Sequence, residues 1–157
     1  MYWESVICIV GLIILRQALY RLRSRWIFKP DTTKYLIKGK QYNVNGINIY
    51  VQDNNKKFWV IFSQPLQGCA GHYSGIYGYL SSYYNVITYD YRGYGESTGS
   101  PNPENILEDG IIVAAFARNK LKIRTKRIIL FGKDLGGAVA AMQAAVLNSE
   151  PEKIRGL

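Results

Sequence analysis

The residues best suited to chemistry lie in one short turn, Gly132 to Gly137 (GKDLGG). An apolar run precedes the turn and an alanine-rich segment follows it, so the turn joins a strand to a helix. G-x-D-x-G at such a junction is the layout of a nucleophile elbow, which displays its central side chain above the sheet. Asp134 is therefore the candidate catalytic residue, and the Leu135 N–H would face the position where an oxyanion forms. The small residues that permit the sharp turn are Gly132, Gly136 and Gly137.

Few other residues could support a chemical site. The chain has one histidine, His72, and two cysteines, Cys8 and Cys69. These numbers exclude a His-rich metal site and the paired cysteines of a zinc finger. The glycines lack the spacing of a phosphate loop or of a dinucleotide-binding turn. We therefore expect no metal site and neither of these nucleotide-binding motifs.

The positive charge is concentrated near the N-terminus. The net charge of the chain is +9, of which residues 1–40 carry +6 and residues 41–157 carry +3. A nucleic-acid-binding domain would spread its cations over the folded surface, so nucleic acid is not an expected partner. Cations beside an apolar run favour anionic lipid instead. The predicted lipid contacts are Arg21, Arg23 and Arg25.

Residues 1–30 are predicted to form a membrane-anchor helix with a basic flank. Val6 to Leu15 contains no charge, and its apolar neighbours extend it towards the roughly 20 residues that a membrane span needs. The alternative is an amphipathic or packing helix that precedes the domain. If the helix spans a membrane, its cationic C-terminal flank places the folded domain on the cytoplasmic side.

Strand and helix patterns alternate after Tyr35. Asn45-Gly46 between two alternating runs predicts a β-hairpin. Three continuous apolar runs read as buried strands: Phe58 to Ser63, Asn85 to Asp90 and Arg127 to Gly132. Helices are expected between and after them, over Tyr73 to Tyr83, from Asn102-Pro103 onward, and over Leu135 to Asn148. The order predicts an α/β fold with a mostly parallel sheet and an antiparallel N-terminal hairpin.

Two motifs together carry a family resemblance. Asp90 to Ser97 (DYRGYGES) follows the middle apolar strand, and the elbow follows the last one. The pair resembles the α/β-hydrolase superfamily, and within it the single-pass membrane α/β-hydrolase domain-containing serine hydrolases. The resemblance runs from about Tyr35 to Leu157, so residues 31–157 are interpreted as a partial α/β-hydrolase domain. Such domains usually exceed about 200 residues.

The sequence departs from the family pattern at the catalytic positions. Asp134 stands where this branch has serine, and Gln64-Pro65-Leu66 stands where it has a His-Gly-Asn oxyanion loop. Proline there lacks an N–H and stiffens the loop, which leaves Leu66 and Leu135 as the expected oxyanion donors. The family's acid and histidine follow later strands. His72 lies on the wrong side of the elbow in chain order to replace that histidine.

Asp134 has two interpretations. A carboxylate at a helix N-terminus accepts N–H bonds and is favoured by the helix dipole, which predicts a helix cap. The resemblance also implies a chemical role, since some superfamily members use an elbow aspartate that forms an ester, later hydrolysed by histidine-activated water. The cap is the preferred interpretation, because a positioned base is required to activate either the nucleophile or the water.

These observations predict a membrane-anchored hydrolase-like protein of the serine esterase or thioesterase type, inactive or truncated in this form. One alternative is an active hydrolase with Asp134 as nucleophile, acting on an acyl ester or lipid-like substrate with a histidine from a missing C-terminal half. The other is a non-catalytic membrane-bound binding or scaffold protein. The resemblance implies no cofactor for any of the three.

The C-terminal residues suggest an interrupted domain. Pro151 marks a turn, and Lys153 to Leu157 look like the lead-in to a further strand. The strand order implied by the resemblance then leaves Ile128 to Phe131 on an open edge. Because an unpaired apolar edge can pair with another chain, we expect self-association there.

Overall fold

The computed structural model describes residues 2–149, without side chains at residues 2, 4, 5, 21 and 23–26. The expected lead-in strand at Lys153 to Leu157, and Pro151 before it, lie outside the described residues. The chain begins with helix α1, Tyr2–Ile27, and continues into a sheet flanked by three further helices.

Five strands form one sheet in the order β1-β2-β4-β3-β5. Strands β3, β4 and β5 run parallel, and the β1–β2 hairpin joins them through an antiparallel β2–β4 pair. This is the order that the resemblance implied. The strand bounds are β1 Lys40–Val44, β2 Ile47–Gln52, β3 Trp59–Ser63, β4 Asn85–Tyr89 and β5 Ile128–Gly132.

The hairpin turn has the backbone that its sequence predicts. Asn45 has φ 52° and Gly46 has φ 83°. Both positions of a tight hairpin turn need positive φ, which Asn-Gly accepts at little cost. Strand β2 lies within the sheet between β1 and β4, and all six of its residues are buried.

Helices cover both faces of the sheet, as the buried strands require. Helix α2, Ser74–Ser81, packs on β4, while α3, Pro103–Asn119, packs against α4, Leu135–Asn148, on the other face. Asn102 caps α3 by accepting a hydrogen bond from the Asn105 N–H at 2.7 Å. A short 3₁₀ turn, Ala70–Tyr73, precedes α2. The predicted helices are thus present, with bounds shifted by a few residues.

Helix α1 projects most of its apolar surface into solvent. Its uninterrupted apolar run, Val6 to Leu15, is ten residues long, about half of what a span requires. Within residues 2–149, no helix combines the length and the apolar content needed to cross a membrane. The predicted membrane-spanning helix is therefore not supported. Immediately after α1, Phe28 is buried in the main core and fixes this end of the helix to the domain.

Candidate active site

The turn between β5 and α4 places Asp134 in a strained backbone conformation. Its φ is 52° and its ψ is −118°. A non-glycine residue pays about 1–3 kcal/mol for such sparsely populated angles, and they cluster at functional sites. The side chain is exposed at the carboxyl end of β5. The geometry is that of an elbow that displays its central residue.

The helix-cap interpretation of Asp134 is wrong. Asp134 occupies the N-cap position of α4, but its side chain accepts no capping hydrogen bond. A capping residue normally has an extended backbone that turns its side chain back towards the first helical N–H groups. The positive φ of Asp134 directs the carboxylate away from them.

Two of the three elbow glycines are sterically required. A Cβ on Gly132 would lie 1.9 Å from the Gly136 carbonyl oxygen, and a Cβ on Gly136 would lie 2.0 Å from the Ser63 carbonyl oxygen. No side chain fits at these distances, so the start of α4 lies directly against the ends of β5 and β3. A Cβ on Gly137 would meet only ordinary contact, at 3.9 Å from the Gly132 carbonyl oxygen.

Two buried tyrosines hold the loop after β3 through hydrogen bonds. Tyr91 donates its hydroxyl hydrogen to the Gln64 carbonyl at 3.0 Å, and Tyr94 donates to the Leu66 carbonyl at 2.9 Å. These bonds hold Leu66 at the same sheet edge as the elbow. Leu135, at the first position of α4, has an N–H without an acceptor inside the helix, as first-turn amides do. Leu66 and Leu135, the two residues predicted as oxyanion donors, therefore belong to separate segments, which follow β3 and β5.

Gln64 is the unusual residue of this loop. Its side chain is fully buried, and neither amide atom has a hydrogen-bond partner among the described residues. A buried amide without partners costs free energy, about 1–3 kcal/mol. The first position of this loop therefore holds a polar side chain that its surroundings do not satisfy.

Among the described residues, Tyr73 is the ionisable group whose pKa is affected by the charge of Asp134. Burial raises the pKa of its phenol, and the nearby charges of Asp134 and Cys69 raise it further. The Tyr73 hydroxyl donates to the Gln67 carbonyl, and its ring packs edge-on against Phe62 with centroids 6.1 Å apart. At neutral pH this phenol is a proton donor, so it cannot serve as a base for Asp134.

His72 is engaged elsewhere. Its Nε2 lies 2.9 Å from the Tyr35 hydroxyl and 3.4 Å from Asp31 Oδ2, while its Nδ1 accepts the Cys69 N–H at 3.2 Å. In the part of the chain that the structure describes, nothing pairs a histidine with Asp134. This cluster went unnoticed in the sequence, since Asp31 and His72 lie 41 positions apart in the chain.

The loop after β4 is held by buried carboxylates. Asp90 accepts hydrogen bonds from the Ala70 N–H at 2.7 Å and the Tyr50 hydroxyl at 2.9 Å. Burial raises the pKa of the Asp90 carboxyl, and these hydrogen bonds oppose the shift. Arg92 pairs with buried Asp109 at 2.6 Å. Asp90 and Asp109 thus hold the loop after β4 in position.

The predicted lipid contacts cannot be placed. The side chains of Arg21, Arg23 and Arg25 lie outside the described residues, although the helix that carries them is present. What surrounds them on α1 is described. Its large apolar side chains are exposed along most of its length: Val6, Ile7, Ile9, Val10, Leu12, Ile13, Ile14, Leu15, Leu19 and Leu22.

The fold and the elbow together define a class of protein. A mostly parallel sheet with helices on both faces, and a strained strand-to-helix turn at the end of its third parallel strand, is the framework of hydrolases with a nucleophile elbow. The family model described as alpha/beta hydrolase fold matches residues 66–157, more than half of the chain. The chain belongs to this family.

Individual relatives agree with that assignment. The chain is 37% identical over 73 residues to the alpha/beta hydrolase domain-containing protein WAV2 of Arabidopsis thaliana, covering 46% of this chain and 23% of that protein. It is 32% identical over 97 residues to the human alpha/beta hydrolase domain-containing protein 17B, covering 60% of this chain and 34% of that protein. The chain thus spans about a third or less of the length of these relatives.

Solved structures share the fold. The Pyrococcus furiosus esterase Pf2001 superposes with a TM-score of 0.64 at 20% identity, over 82% of this chain and 53% of that one. An alpha-beta hydrolase from Vibrio vulnificus gives a TM-score of 0.62 at 20% identity, over 73% of this chain and 41% of that one. At this level of identity the likeness concerns the fold alone.

Proposed function

We propose that this chain is a hydrolase-like protein of the ester or thioester hydrolase type, and that residues 1–157 alone are catalytically inactive. The observation that carries the proposal is the elbow. Asp134 has the strained, exposed geometry of a nucleophile, while the chain's single histidine contacts Asp31, Tyr35 and Cys69. A nucleophile of this kind needs a base to activate it or the attacking water.

Active-site labelling tests the inactivity and its cause together. We expect no turnover of short acyl esters by the full chain and no labelling by a fluorophosphonate probe. Asp134→Ser restores the family nucleophile but supplies no base, so it too should remain unlabelled. Labelling of either protein would show that a base reaches the elbow and would refute the proposal. An active serine hydrolase carried through the same reaction controls for the probe.

A chemical role for Asp134 is the second candidate, favoured by its strain and by the missing cap bond. The carboxylate would attack an electrophilic carbon, displace the leaving group and form an ester. Without an activated water that ester would persist. Incubation with a reactive alkylating substrate, followed by peptide mass mapping, should then find the adduct on Asp134 and lose it in Asp134→Asn. An unmodified Asp134 would end this candidate.

The proposal includes attachment to an anionic membrane surface through α1. Exposed apolar surface of this extent marks an interaction site, and Arg21, Arg23 and Arg25 add positive charge beside it. Because the cytoplasmic leaflet is the anionic one, the proposal places the chain on the cytoplasmic face.

Vesicle binding tests the electrostatic part of this attachment. Cosedimentation with vesicles containing phosphatidylserine should weaken in high salt and after combined replacement of Arg21, Arg23 and Arg25 by alanine. The matched control replaces three exposed cations of the folded domain, Lys120, Lys122 and Arg124, and should leave binding almost unchanged. If vesicle binding is unchanged both in high salt and after replacement of the α1 arginines, the electrostatic part of the proposed attachment is wrong.

A further inference from the structure

Three side chains of different ligand chemistry meet beside the predicted active-site edge. A carboxylate oxygen of Asp31, the Cys69 Sγ and a ring nitrogen of His72 all lie within 4.8 Å of one another. Asp31 comes from the segment between α1 and β1, His72 comes from the 3₁₀ turn after β3, and Cys69 immediately precedes that turn. Carboxylate, thiolate and imidazole are the ligand types that zinc accepts together.

The three donor atoms, one from each residue, lie within 4.8 Å of one another, and side-chain rotation is needed to bring them to the spacing of a tetrahedral ion. Cys69 Sγ lies 3.6 Å from His72 Nδ1, and Asp31 Oδ2 lies 3.4 Å from His72 Nε2. Ligands on tetrahedral zinc lie about 3.3–3.6 Å apart, because Zn–S bonds are about 2.3 Å and Zn–N or Zn–O bonds about 2.0–2.1 Å. One ion takes only one ring nitrogen. The His72 and Asp31 side chains are 39% and 30% exposed, so they can rotate to bring all three donors onto it.

The backbone holds the three residues in place independently of any ion. The Asp31 carbonyl accepts the Gly95 N–H at 2.7 Å, which ties its segment to the loop after β4. The His72 N–H donates to the Cys69 carbonyl at 3.0 Å, which fixes the main chain between these two residues. Gly71 lies so close to Tyr35 that a Cβ added to Gly71 would be 2.2 Å from the Tyr35 Cβ. A site held in this way loses little entropy when an ion binds.

We propose that Asp31, Cys69 and His72 form a binding site for Zn²⁺. Binding replaces the Cys69 thiol proton with the Zn–S bond, and that proton leaves to solvent. The fourth position is filled by water or by the Tyr35 hydroxyl, which already lies 2.9 Å from His72 Nε2. The partly exposed carboxylate and imidazole give the ion its route to the buried sulfur. The site is independent of any chemistry at Asp134.

Cobalt substitution tests the site without reference to activity. The full chain, freed of metal by a chelator, is titrated with Co²⁺. We expect one equivalent to bind, with the visible absorption of tetrahedral Co²⁺ and a thiolate-to-cobalt charge-transfer band. Zn²⁺ should then displace the Co²⁺ and abolish both signals. The matched cysteine control is Cys8→Ser, since Cys8 is exposed on α1 and remote from the cluster; it should keep both signals.

Ligand variants identify the donors. Cys69→Ser should lose the charge-transfer band, and His72→Gln and Asp31→Asn should each weaken Zn²⁺ binding by at least about tenfold. Cys69 is buried, so its replacement can affect folding. The melting temperature of Asp31→Asn therefore provides an independent measurement. Zn²⁺ should raise the melting temperature of the unaltered chain and not that of Asp31→Asn. Absence of the charge-transfer band in the unaltered chain, its loss in Cys8→Ser, or equal zinc stabilisation of Asp31→Asn would overturn the proposal.

Discussion

The elbow after β5 and the loop after β3 lie at the same sheet edge, but they preserve the hydrolase framework to different degrees. In the elbow, Gly132 and Gly136 allow backbone to touch backbone, and Asp134 keeps its strained φ of 52°. In the loop, Gln64 is buried without a partner among the described residues, and Pro65 removes an N–H. Close packing of the main chain defines the elbow, while the loop contains a buried polar side chain that its surroundings leave without a partner.

The difference shows that backbone contacts constrain the elbow more strictly than they constrain the identity of its central residue. The elbow glycines bear directly on stability, since any side chain at Gly136 meets the Ser63 carbonyl. The identity of residue 134 has no such constraint, because its side chain points to solvent. The shape of the elbow therefore does not by itself determine which side chain the elbow displays.

The largest expected effect concerns the contact between the two regions. Gly136→Ala places a methyl group 2.0 Å from the Ser63 carbonyl oxygen, so α4 must move away from β3 at a cost of about 3 kcal/mol. Gly137→Ala is the matched control. Its methyl group has room, and alanine favours the helix by up to about 1 kcal/mol. Urea unfolding of the full chain measures both free energies. Equal effects would mean that backbone contact does not hold the elbow.

Much of this framework was predictable because its determinants are local. Asn45-Gly46 specified the hairpin turn, Asn102-Pro103 specified the start of α3, and the glycines around Asp134 specified the elbow. Each of these residue patterns determines the backbone only within a few residues of its own position. The apolar runs gave β3, β4 and β5 for the same reason, since a strand buried on both faces needs no partner to be recognised.

The parts that were missed depend on contacts between distant residues. Nothing near His72 in the sequence indicates that Asp31 and Tyr35 reach it, and its position before the elbow gave only a negative conclusion. The helix-cap interpretation of Asp134 failed because side-chain type predicts a cap only when the backbone is extended there. The membrane-spanning prediction depended on extending a ten-residue apolar run across Glu4, Arg16 and Gln17.

An intermediate effect is expected for the loop after β3. Gln64→Met replaces the unpartnered amide with an apolar chain of similar size and should raise the free energy of unfolding by about 2 kcal/mol. Gln143→Met is the control, because Gln143 is equally buried but donates to the Gly110 carbonyl at 2.8 Å. That variant should lose stability. If both variants changed stability in the same direction, the unsatisfied state of Gln64 would not distinguish this loop from the rest of the core.

The smallest expected effect concerns the elbow itself. Glycine accepts a φ of 52° without the clash that a Cβ creates, so Asp134→Gly should relieve the strain of about 1–3 kcal/mol. Part of that gain is lost, since glycine adds about 0.4–1 kcal/mol of unfolded-state entropy, which leaves a net stabilisation of about 1 kcal/mol. Lys133→Gly, one residue earlier and outside the positive-φ region, bears the entropy cost alone and should destabilise the chain. If Asp134→Gly is stabilised and Lys133→Gly is destabilised, the backbone strain at Asp134 lowers the stability of the natural chain. A loss of stability in both would mean that the Asp134 carboxylate makes a favourable interaction that outweighs its strain.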